Sequence, residues 1–299
     1  MQSVLNHFHL NNAQPYGEGI ESRVYILDST HVLRICKGNT PDEMAERQFL
    51  YDIVARGSYP YAVPELMEIG EISGIHYSIE RFMPGVTIRL AFPSFSATHR
   101  NQVIRNFLGA IVPLQTANVA DLPYGELIGQ DKIQDTSWSN YLYRKSSGVL
   151  KSTQAKLGKD APHLNRALEK FNAGLETLST YSEKHLVHGD FYPAHLLLDN
   201  QAKISGLLDF SRLTIIGDPL LDYAEALSTF EDPLRPEGSA KNAKRCVQLI
   251  KNQLGEGALE TIRIYQLYYA ILFSDCEAYD PTTYSWCIRT LNGEIWPIT

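Results

Sequence analysis

One short segment of the sequence holds side chains suited to act together on a phosphate group. The run His188-Gly189-Asp190-Phe191-Tyr192-Pro193-Ala194-His195 places a carboxylate and an imidazole five residues apart in a loop interrupted by Gly and Pro. A second carboxylate, Asp209, ends the strand-turn-strand pattern that follows. Phosphoryl transfer needs one carboxylate to orient the attacking hydroxyl and accept its proton, and ligands for Mg²⁺. These three side chains could therefore supply a base and two metal ligands for such a reaction.

The spacing of these residues and of a motif further on resembles a known family. The segments are His188-Gly189-Asp190, four residues and His195, then Gly206-Leu207-Leu208-Asp209-Phe210, then Gly217-Asp218-Pro219-Leu220-Leu221-Asp222. Together they resemble the aminoglycoside phosphotransferase family, including its macrolide-kinase relatives. The resemblance covers nearly the whole chain, with its specific motifs in residues 186–224. It implies an α+β, bilobal protein-kinase-like fold, with an N-terminal antiparallel sheet containing one helix and a mainly helical C-terminal lobe. It also implies that Asp190 is the catalytic base and that His195 and Asp209 are metal ligands.

Three further residues of this region are expected to support the site. His188 is interpreted as a structural bracket for the loop, and the resemblance implies that Asp218 and Asp222 brace the same loop. Asp218 followed by Pro219 is also typical of a helix N-cap with Pro at the first helical position, so capping alone is an alternative. The family commonly has Asn where this chain has His195, and imidazole suits Mg²⁺ less well than oxygen, so a supporting role for His195 beside the metal is the alternative.

The elements that must position these residues differ between the two parts of the chain. Residues 24–27 and 32–35 predict a β-hairpin, a helix is predicted from Met44 to about Arg56, and residues 65–70 and 75–82 again indicate strands. Thr40 to Glu43 offers a capping box for that helix. Met83-Pro84-Gly85 breaks the pattern, which predicts an N-terminal nucleotide-binding lobe over 1–82 and a C-terminal lobe with the catalytic loop and acceptor site over 83–299.

Helical spacing dominates the second part. Apolar residues recur at helical intervals in about 97–117, 164–181, 241–253 and 259–278. The segment from Leu186 to Phe210, with strand-like runs at 196–198 and 204–208, interrupts these helices. The residues with candidate chemistry lie mainly in that interruption.

The resemblance implies that the N-terminal part binds the nucleotide. The Gly-containing turn from Tyr16 to Val24 can bring backbone N–H groups and the Ser22 hydroxyl close to phosphates. Arg34 is the expected phosphate-binding cation, with Lys37 as the alternative, and Glu46 is the expected helix partner of that cation. Glu80 to Phe82 are expected to contact the purine through the backbone, which leaves ATP and GTP equally open.

The acceptor is expected to be a small molecule. Eight residues separate Asp209 from Asp218, which leaves no room for the long activation segment of a protein kinase. We predict transfer of the γ-phosphate of ATP or GTP, with Mg²⁺, to a hydroxyl of an antibiotic. An aminoglycoside is the first choice, and the alternatives are a macrolide, a sugar or amino alcohol, and a non-catalytic nucleotide-binding module. The acidic residues expected to meet a polycationic acceptor are Glu231, Asp232, Asp275 and Glu277.

The composition of the chain argues against several other classes of protein. The chain has 299 residues, a net charge of −7 and 44% hydrophobic residues, which suits a globular protein and argues against nucleic acid as a partner. Its four cysteines are widely and unevenly spaced, unlike a zinc site or a disulfide framework. The first ten residues are polar, and no run of about 18 apolar residues occurs. We expect a cytoplasmic monomer with no membrane span.

Overall fold

The computed structural model describes residues 1–18, 22–36 and 41–298. Its strands are β1 Gly17–Glu18, β2 Ser22–Ile26, β3 His31–Cys36, β4 Leu66–Ile72, β5 Ile75–Arg81, β6 Val86–Thr87, β7 Tyr124–Glu126, β8 Gln134–Asp135, β9 His185–Val187, β10 Leu196–Leu198, β11 Ile204–Leu207 and β12 Ile215–Gly217. Its helices are α1 Gln2–His7, α2 Pro41–Val54, α3 Ile88–Ala91, α4 Ala97–Gly109, α5 Trp138–Asp160, α6 Leu164–Thr177, α7 Leu220–Glu231, α8 Ala240–Leu254, α9 Glu256–Leu272 and α10 Pro281–Leu291. The predicted α+β class is therefore confirmed.

A five-stranded antiparallel sheet with the order β1-β2-β3-β5-β4 forms the N-terminal part. The predicted hairpin is the pair β2 and β3, in which Val24 lies opposite Arg34. Its turn is stabilised by the carboxylate of Asp28, whose Oδ1 accepts hydrogen bonds from the N–H groups of Thr30 and His31 at 2.7 and 2.9 Å. The predicted helix follows as α2, while Thr40 of its expected capping box lies outside the described residues.

Two hydrophobic clusters hold the chain together. The smaller one joins α1 to the sheet through Val4, Leu5, Tyr25, Leu33, Ile35 and Tyr77. The larger one fills the C-terminal part around α9, which packs against α5, α6, α7, α8 and α10. Four side chains of α2 belong to the larger cluster, namely Leu50, Tyr51, Ile53 and Val54. The helix α2 is therefore anchored in the C-terminal core, although it follows the hairpin in the sequence.

Two small antiparallel sheets interrupt the helices and carry the candidate catalytic segment. One has the order β11-β10-β6, and the other has the order β8-β7-β12-β9. Strand β9 ends directly before His188, the hairpin β10–β11 separates His195 from Asp209, and β12 ends directly before Asp218. The sheets therefore bring all three motifs to one region of the C-terminal part.

Within the described residues, each helix is too short or too polar to cross a lipid bilayer.

Candidate active site

Asp190, His195 and Asp209 form a compact cluster. Nδ1 of His195 lies 3.5 Å from Oδ2 of Asp190, and its Nε2 lies 3.2 Å from Oδ2 of Asp209. One ligand-type atom from each of the three residues lies within 4.8 Å of the others. The structure thus brings together the residues predicted to be the base and the two metal ligands.

The loop between β9 and β10 depends on Gly189 for its conformation. Gly189 has a φ of +77°, in the left-handed region that side chains rarely occupy, and a Cβ built there would lie 1.9 Å from the carbonyl oxygen of Leu213. The loop therefore packs directly on the chain that follows Asp209. Any larger residue at position 189 would displace Asp190 from the cluster.

His188 holds the loop from inside the protein. Its side chain is buried, Nε2 lies 2.8 Å from the carbonyl oxygen of Leu208, and the backbone N–H of Asp190 lies 3.3 Å from Nδ1. These two partners require a neutral ring with its proton on Nε2. Burial lowers the pKa of His188 to about 4, which agrees with that neutral form. The imidazole therefore connects Leu208, the residue before Asp209, to the backbone of Asp190.

The two aspartates after β12 play different parts. Asp222 is fully buried and accepts hydrogen bonds from the N–H groups of His188 and Gly189, both at 2.9 Å, while burial raises its pKa to about 7. Asp218 accepts from the hydroxyl of Tyr265 and from the N–H of Leu220, and burial raises its pKa. Helix α7 begins one residue later than predicted, with Pro219 at the N-cap, so Asp218 caps the first turn from outside the helix.

Charge in the cluster is unevenly distributed. A hydrogen bond with His195 lowers the pKa of Asp209 to about 2. The backbone of Asp209 has a φ of +61°, in the left-handed region. Burial alone would lower the pKa of His195, but Asp209 and Asp190 outweigh it and raise that pKa above its ordinary value. Burial raises the pKa of Asp190, and the charge of Asp209 adds to the effect. Of the two aspartates, Asp209 is thus the one whose ionised form is favoured by its surroundings.

The donor set suits a divalent cation only in part. Carboxylate oxygen is a preferred ligand of Mg²⁺, and Asp209 is exposed and ionised. The imidazole of His195 is already held by the main-chain oxygen of Asp190 at its Nδ1, 2.9 Å away, which leaves Nε2 directed toward Asp209. Asp209 and Nε2 of His195 therefore fit a metal, and a bound Mg²⁺ would neutralise charge on the nucleotide phosphates.

In the N-terminal sheet, Arg34 is fixed by Glu80 and Ser22. Nε and Nη2 of Arg34 donate to the two carboxylate oxygens of Glu80 at 2.8 and 3.1 Å, and Nη1 donates to Oγ of Ser22 at 2.9 Å. Burial opposes ionisation of Glu80, but Arg34 outweighs it and lowers the pKa. Arg47 of α2 lies 3.7 Å from the same carboxylate. The guanidinium is thus preorganised before any phosphate arrives.

The prediction that Glu46 holds Arg34 requires correction. Oε1 of Glu46 instead accepts a hydrogen bond from the backbone N–H of Gly129, 2.9 Å away in the C-terminal part. Strand pairing explains why Glu80 holds Arg34 in place of Glu46. Strand β3 lies beside β5 with Arg34 opposite Ser78, and Glu80 is two residues from Ser78 on the same face. The alternative cation, Lys37, lies outside the described residues, as do residues 19–21 of the Gly-containing turn.

The expected purine-contacting segment lies at the end of β5. The N–H groups of Arg81 and Phe82 already donate to the carbonyl oxygens of Glu65 and Thr30, at 3.0 and 2.7 Å. A purine would therefore have to donate its hydrogen bond to the carbonyl oxygen of Phe82. The ring of Phe82 meets that of Tyr16 edge to face, 5.7 Å between centroids.

Two of the four acids expected to bind the acceptor are engaged elsewhere. Glu231 pairs with Arg263 at 2.6 Å, and Asp232 is fully buried against Arg289 at 2.6 Å. Asp232 follows Asp222 by ten residues and lies at the opposite end of α7. The expectation for Glu231 and Asp232 is therefore wrong, because arginines neutralise both and one has no exposed surface.

The other two acids lie in the exposed turn between α9 and α10. Glu277 pairs with Lys156, while Asp275 is exposed. The preceding helix reaches the catalytic loop, since the hydroxyl of Tyr269 lies 3.4 Å from the carbonyl oxygen of Gly189. A small pocket of about 20 Å³ beside this contact is lined by Glu126, Tyr141, Lys145, Gly189, Tyr268 and Tyr269, among others.

Sequence reasoning missed one acid that touches the site. Glu225 of α7 accepts a hydrogen bond from the N–H of Phe191 at 2.6 Å, and its side chain is hydrogen-bonded to that of Asp190. The available signal was its position three residues after Asp222, which places both on one face of a helix.

Comparison with known proteins agrees with this architecture. A sequence profile described as the phosphotransferase enzyme family matches residues 12–244, so the chain belongs to that family. The protein is accordingly a phosphotransferase of the kind that uses a hydroxyl acceptor. A comparison with curated proteins gives no significant match.

Solved structures of low sequence identity share the fold. The ADP-bound aminoglycoside phosphotransferase APH(2'')-Ib superposes with a TM-score of 0.64 at 14% identity, over 98% of this chain and 97% of that one. The GDP and kanamycin complex of APH(2")-IIIa gives 0.64 at 16% identity, over 98% and 97%. The macrolide 2'-phosphotransferase MphH from Brachybacterium faecium gives 0.56 at 17% identity, over 98% of both chains. These matches confirm the kinase-like fold.

Proposed function

We propose that this protein transfers the γ-phosphate of ATP or GTP to a hydroxyl of a small-molecule antibiotic, with an aminoglycoside as the first acceptor to test. The observation that carries the proposal is the cluster of Asp190, His195 and Asp209 in a loop whose backbone is held by buried groups. Preorganised polar groups of this kind are what phosphoryl transfer requires of a protein.

Each residue then has a defined part in the reaction. The carboxylate of Asp190 accepts the proton of the acceptor hydroxyl as that oxygen forms its bond to the γ-phosphorus. The bond between the γ-phosphorus and the β–γ bridging oxygen breaks, and the nucleoside diphosphate leaves. Arg34, held by Glu80 and Ser22, binds the nucleotide phosphates with a fixed charge. Asp209 and His195 hold the metal.

The acceptor class is the finer part of the proposal. A polycation is favoured by the net charge of −7 and by the exposed carboxylate of Asp275 in the C-terminal part. Exposed Tyr279 and partly buried Phe273 favour the macrolide alternative, because a large apolar ring needs apolar walls. Retention of the nucleotide site without turnover is the remaining alternative from another class.

A nucleotide-consumption assay with mass detection of the product tests the proposal. Purified protein is supplied with Mg²⁺ and either ATP or GTP, and with kanamycin, erythromycin or a panel of sugars and amino alcohols. We expect kanamycin to gain one phosphate group, and Asp190→Asn to abolish that product. Phosphorylation of erythromycin alone would assign the macrolide class. Nucleotide binding without any phosphorylated product from the wild type would contradict the proposed enzyme.

A further inference from the structure

Helix α7 presents two carboxyl groups to the catalytic loop. Asp222 accepts hydrogen bonds from the N–H groups of His188 and Gly189, and Glu225 accepts from the N–H of Phe191. Residues three apart on a helix lie on one face, so one turn of α7 binds three N–H groups of the same short loop. The residue between those groups is Asp190.

Glu225 also reaches the side chain of Asp190. The two carboxyl groups are hydrogen-bonded, which requires that one of them keep a proton. Burial raises the pKa of Glu225 well above its ordinary value, and the neighbouring charges of Asp190 and Asp222 add to that effect. The proton therefore resides on Glu225, which donates to Asp190 and accepts from the next residue in the chain.

The contacts of Asp190 divide between its backbone and its side chain. Its carbonyl oxygen lies 2.9 Å from Nδ1 of His195, and its N–H faces Nδ1 of His188 at 3.3 Å. These contacts fix the main chain but leave rotation about the side-chain bonds open. The side chain of Asp190 in turn meets Nδ1 of His195, 3.5 Å from its Oδ2, and the carboxyl group of Glu225, so these two groups orient its carboxylate.

We propose that Glu225 is a positioning residue for Asp190, holding its carboxylate in the orientation that receives the proton of the acceptor hydroxyl. The inference rests on the proposed function, in which Asp190 is the base. Misplacement of a reacting group by about 1 Å costs on the order of 10²-fold in rate, so loss of the contact acts on kcat. Nucleotide affinity is unaffected, because Arg34 and its partners Glu80 and Ser22 belong to the N-terminal sheet.

The test compares three variants at the same position with a matched control. In Glu225→Gln, the amide N–H₂ donates to Asp190 and the amide oxygen accepts from Phe191, so both contacts survive without an ionisable group. Glu225→Ala removes both contacts, and Glu225→Asp keeps the acid but shortens its reach by one methylene. Glu169→Ala, which removes an exposed glutamate from α6, controls for loss of a helical glutamate. Thermal unfolding of each variant records its stability.

The assay measures Mg²⁺-dependent hydrolysis of ATP and GTP, with water as the acceptor, and phosphate transfer to kanamycin. We expect Glu225→Gln to retain kcat within about fivefold, and Glu225→Ala to lose about 10²-fold in kcat with a nucleotide KM within about threefold. Where Glu225→Ala does not fold, Glu225→Asp gives the same comparison. Glu169→Ala is expected to match the wild type.

Two results overturn the inference. One is wild-type kcat in a folded Glu225→Ala or Glu225→Asp protein, and the other is a Glu225→Gln protein as inactive as the alanine variant. Asp190→Asn, assayed in parallel, separates this outcome from failure of the proposed function. If Asp190→Asn and the wild type show the same rates, Asp190 is not the base and the function itself is contradicted.

Discussion

Arg34 and Glu80 lie on adjacent strands of the N-terminal sheet and share two hydrogen bonds, 2.8 Å from Nε and 3.1 Å from Nη2. In this bidentate pair the carboxylate of Glu80 is buried, and the guanidinium of Arg34 is partly exposed. It orients a fixed positive charge toward the place where the nucleotide phosphates are expected. The cation is thus held by a neighbouring strand, and Arg47 of α2 lies 3.7 Å from the same carboxylate.

Removing the charge of Glu80 should weaken nucleotide binding. Glu80→Gln breaks the bidentate pair, and we expect the KM for ATP or GTP to rise about tenfold, equivalent to about 1.4 kcal/mol. Glu46→Gln is the matched control on α2 and should leave that KM within about twofold. Steady-state kinetics of both variants check the prediction, which is contradicted if the two changes are equally harmful.

Asp190→Asn should nearly abolish turnover while leaving nucleotide affinity within a few-fold. General-base and positioning roles contribute on the order of 10²–10⁴ in rate without holding the nucleotide. Asp209→Asn should behave differently, losing metal-dependent nucleotide binding together with activity. Isothermal titration with Mg²⁺-ATP or Mg²⁺-GTP separates the two variants, and near-normal turnover by folded Asp190→Asn protein refutes the assignment.

His195 should make the metal requirement depend on pH. Its pKa lies above the ordinary value, and protonation removes the lone pair that a metal needs. The Mg²⁺ concentration for half-maximal activity should therefore rise as the pH falls through that pKa. His195→Asn should retain substantial activity with a flatter dependence, because an amide oxygen does not titrate. The same pH dependence in active His195→Asn protein would assign the titration to another group.

His188 should contribute to acid instability. Its pKa of about 4 in the folded protein lies below the value of about 6.5 for an unfolded chain, so the unfolded state binds more protons between those values. Stability is fully present above about pH 6.5 and is lost as the pH falls toward 4. We expect the free energy of unfolding to decrease by about 2 kcal/mol between pH 7 and pH 5 from this group alone.

Urea denaturation at both pH values checks the contribution of His188. His188→Gln keeps a donor for the carbonyl oxygen of Leu208 and does not titrate, so its decrease between pH 7 and pH 5 should be smaller by that amount. Equal decreases in the two proteins would show that His188 is not the group responsible.

The aminoglycoside proposal predicts a dependence on ionic strength. A negative field attracts a polycation, and salt screens that attraction, so kcat/KM for kanamycin should fall as salt is added. Asp275→Asn should lower kcat/KM more than Glu71→Gln, which removes one exposed charge from the N-terminal sheet. Equal effects of the two variants would remove Asp275 from the acceptor site.

The sequence predicted most of the fold because its clearest runs of apolar spacing coincide with strands and helices of the structure. The hairpin β2–β3 and the helices α4, α6, α8 and α9 follow apolar spacing that is visible in one dimension. Helix α5 was not predicted, because its 23 residues include serines, lysines and glycines and few apolar positions. Its burial of Trp138 and Tyr141 becomes apparent only against α9.

The site was predictable where function concentrates in one stretch of chain and unpredictable where partners come from distant elements. Asp190, His195 and Asp209 lie within one motif, and the structure brings them together. Glu80 lies 46 residues from Arg34, and Arg263 lies 32 residues from Glu231, so these partners follow from strand order and helix packing. Exposed glutamates and buried, paired glutamates look alike in a sequence.

The attachment of α2 to the C-terminal core determines which parts of the protein can move apart. Its side chains at positions 50, 51, 53 and 54 share that core, and Glu46 is tied to Gly129. If the N-terminal sheet moves relative to the C-terminal core, we expect α2 to stay with the core. Arg34 and Glu80 would then move together with the sheet, while Arg47 would stay with the core. The 3.7 Å contact between Arg47 and Glu80 joins these two parts, so we expect it to lengthen in such a motion.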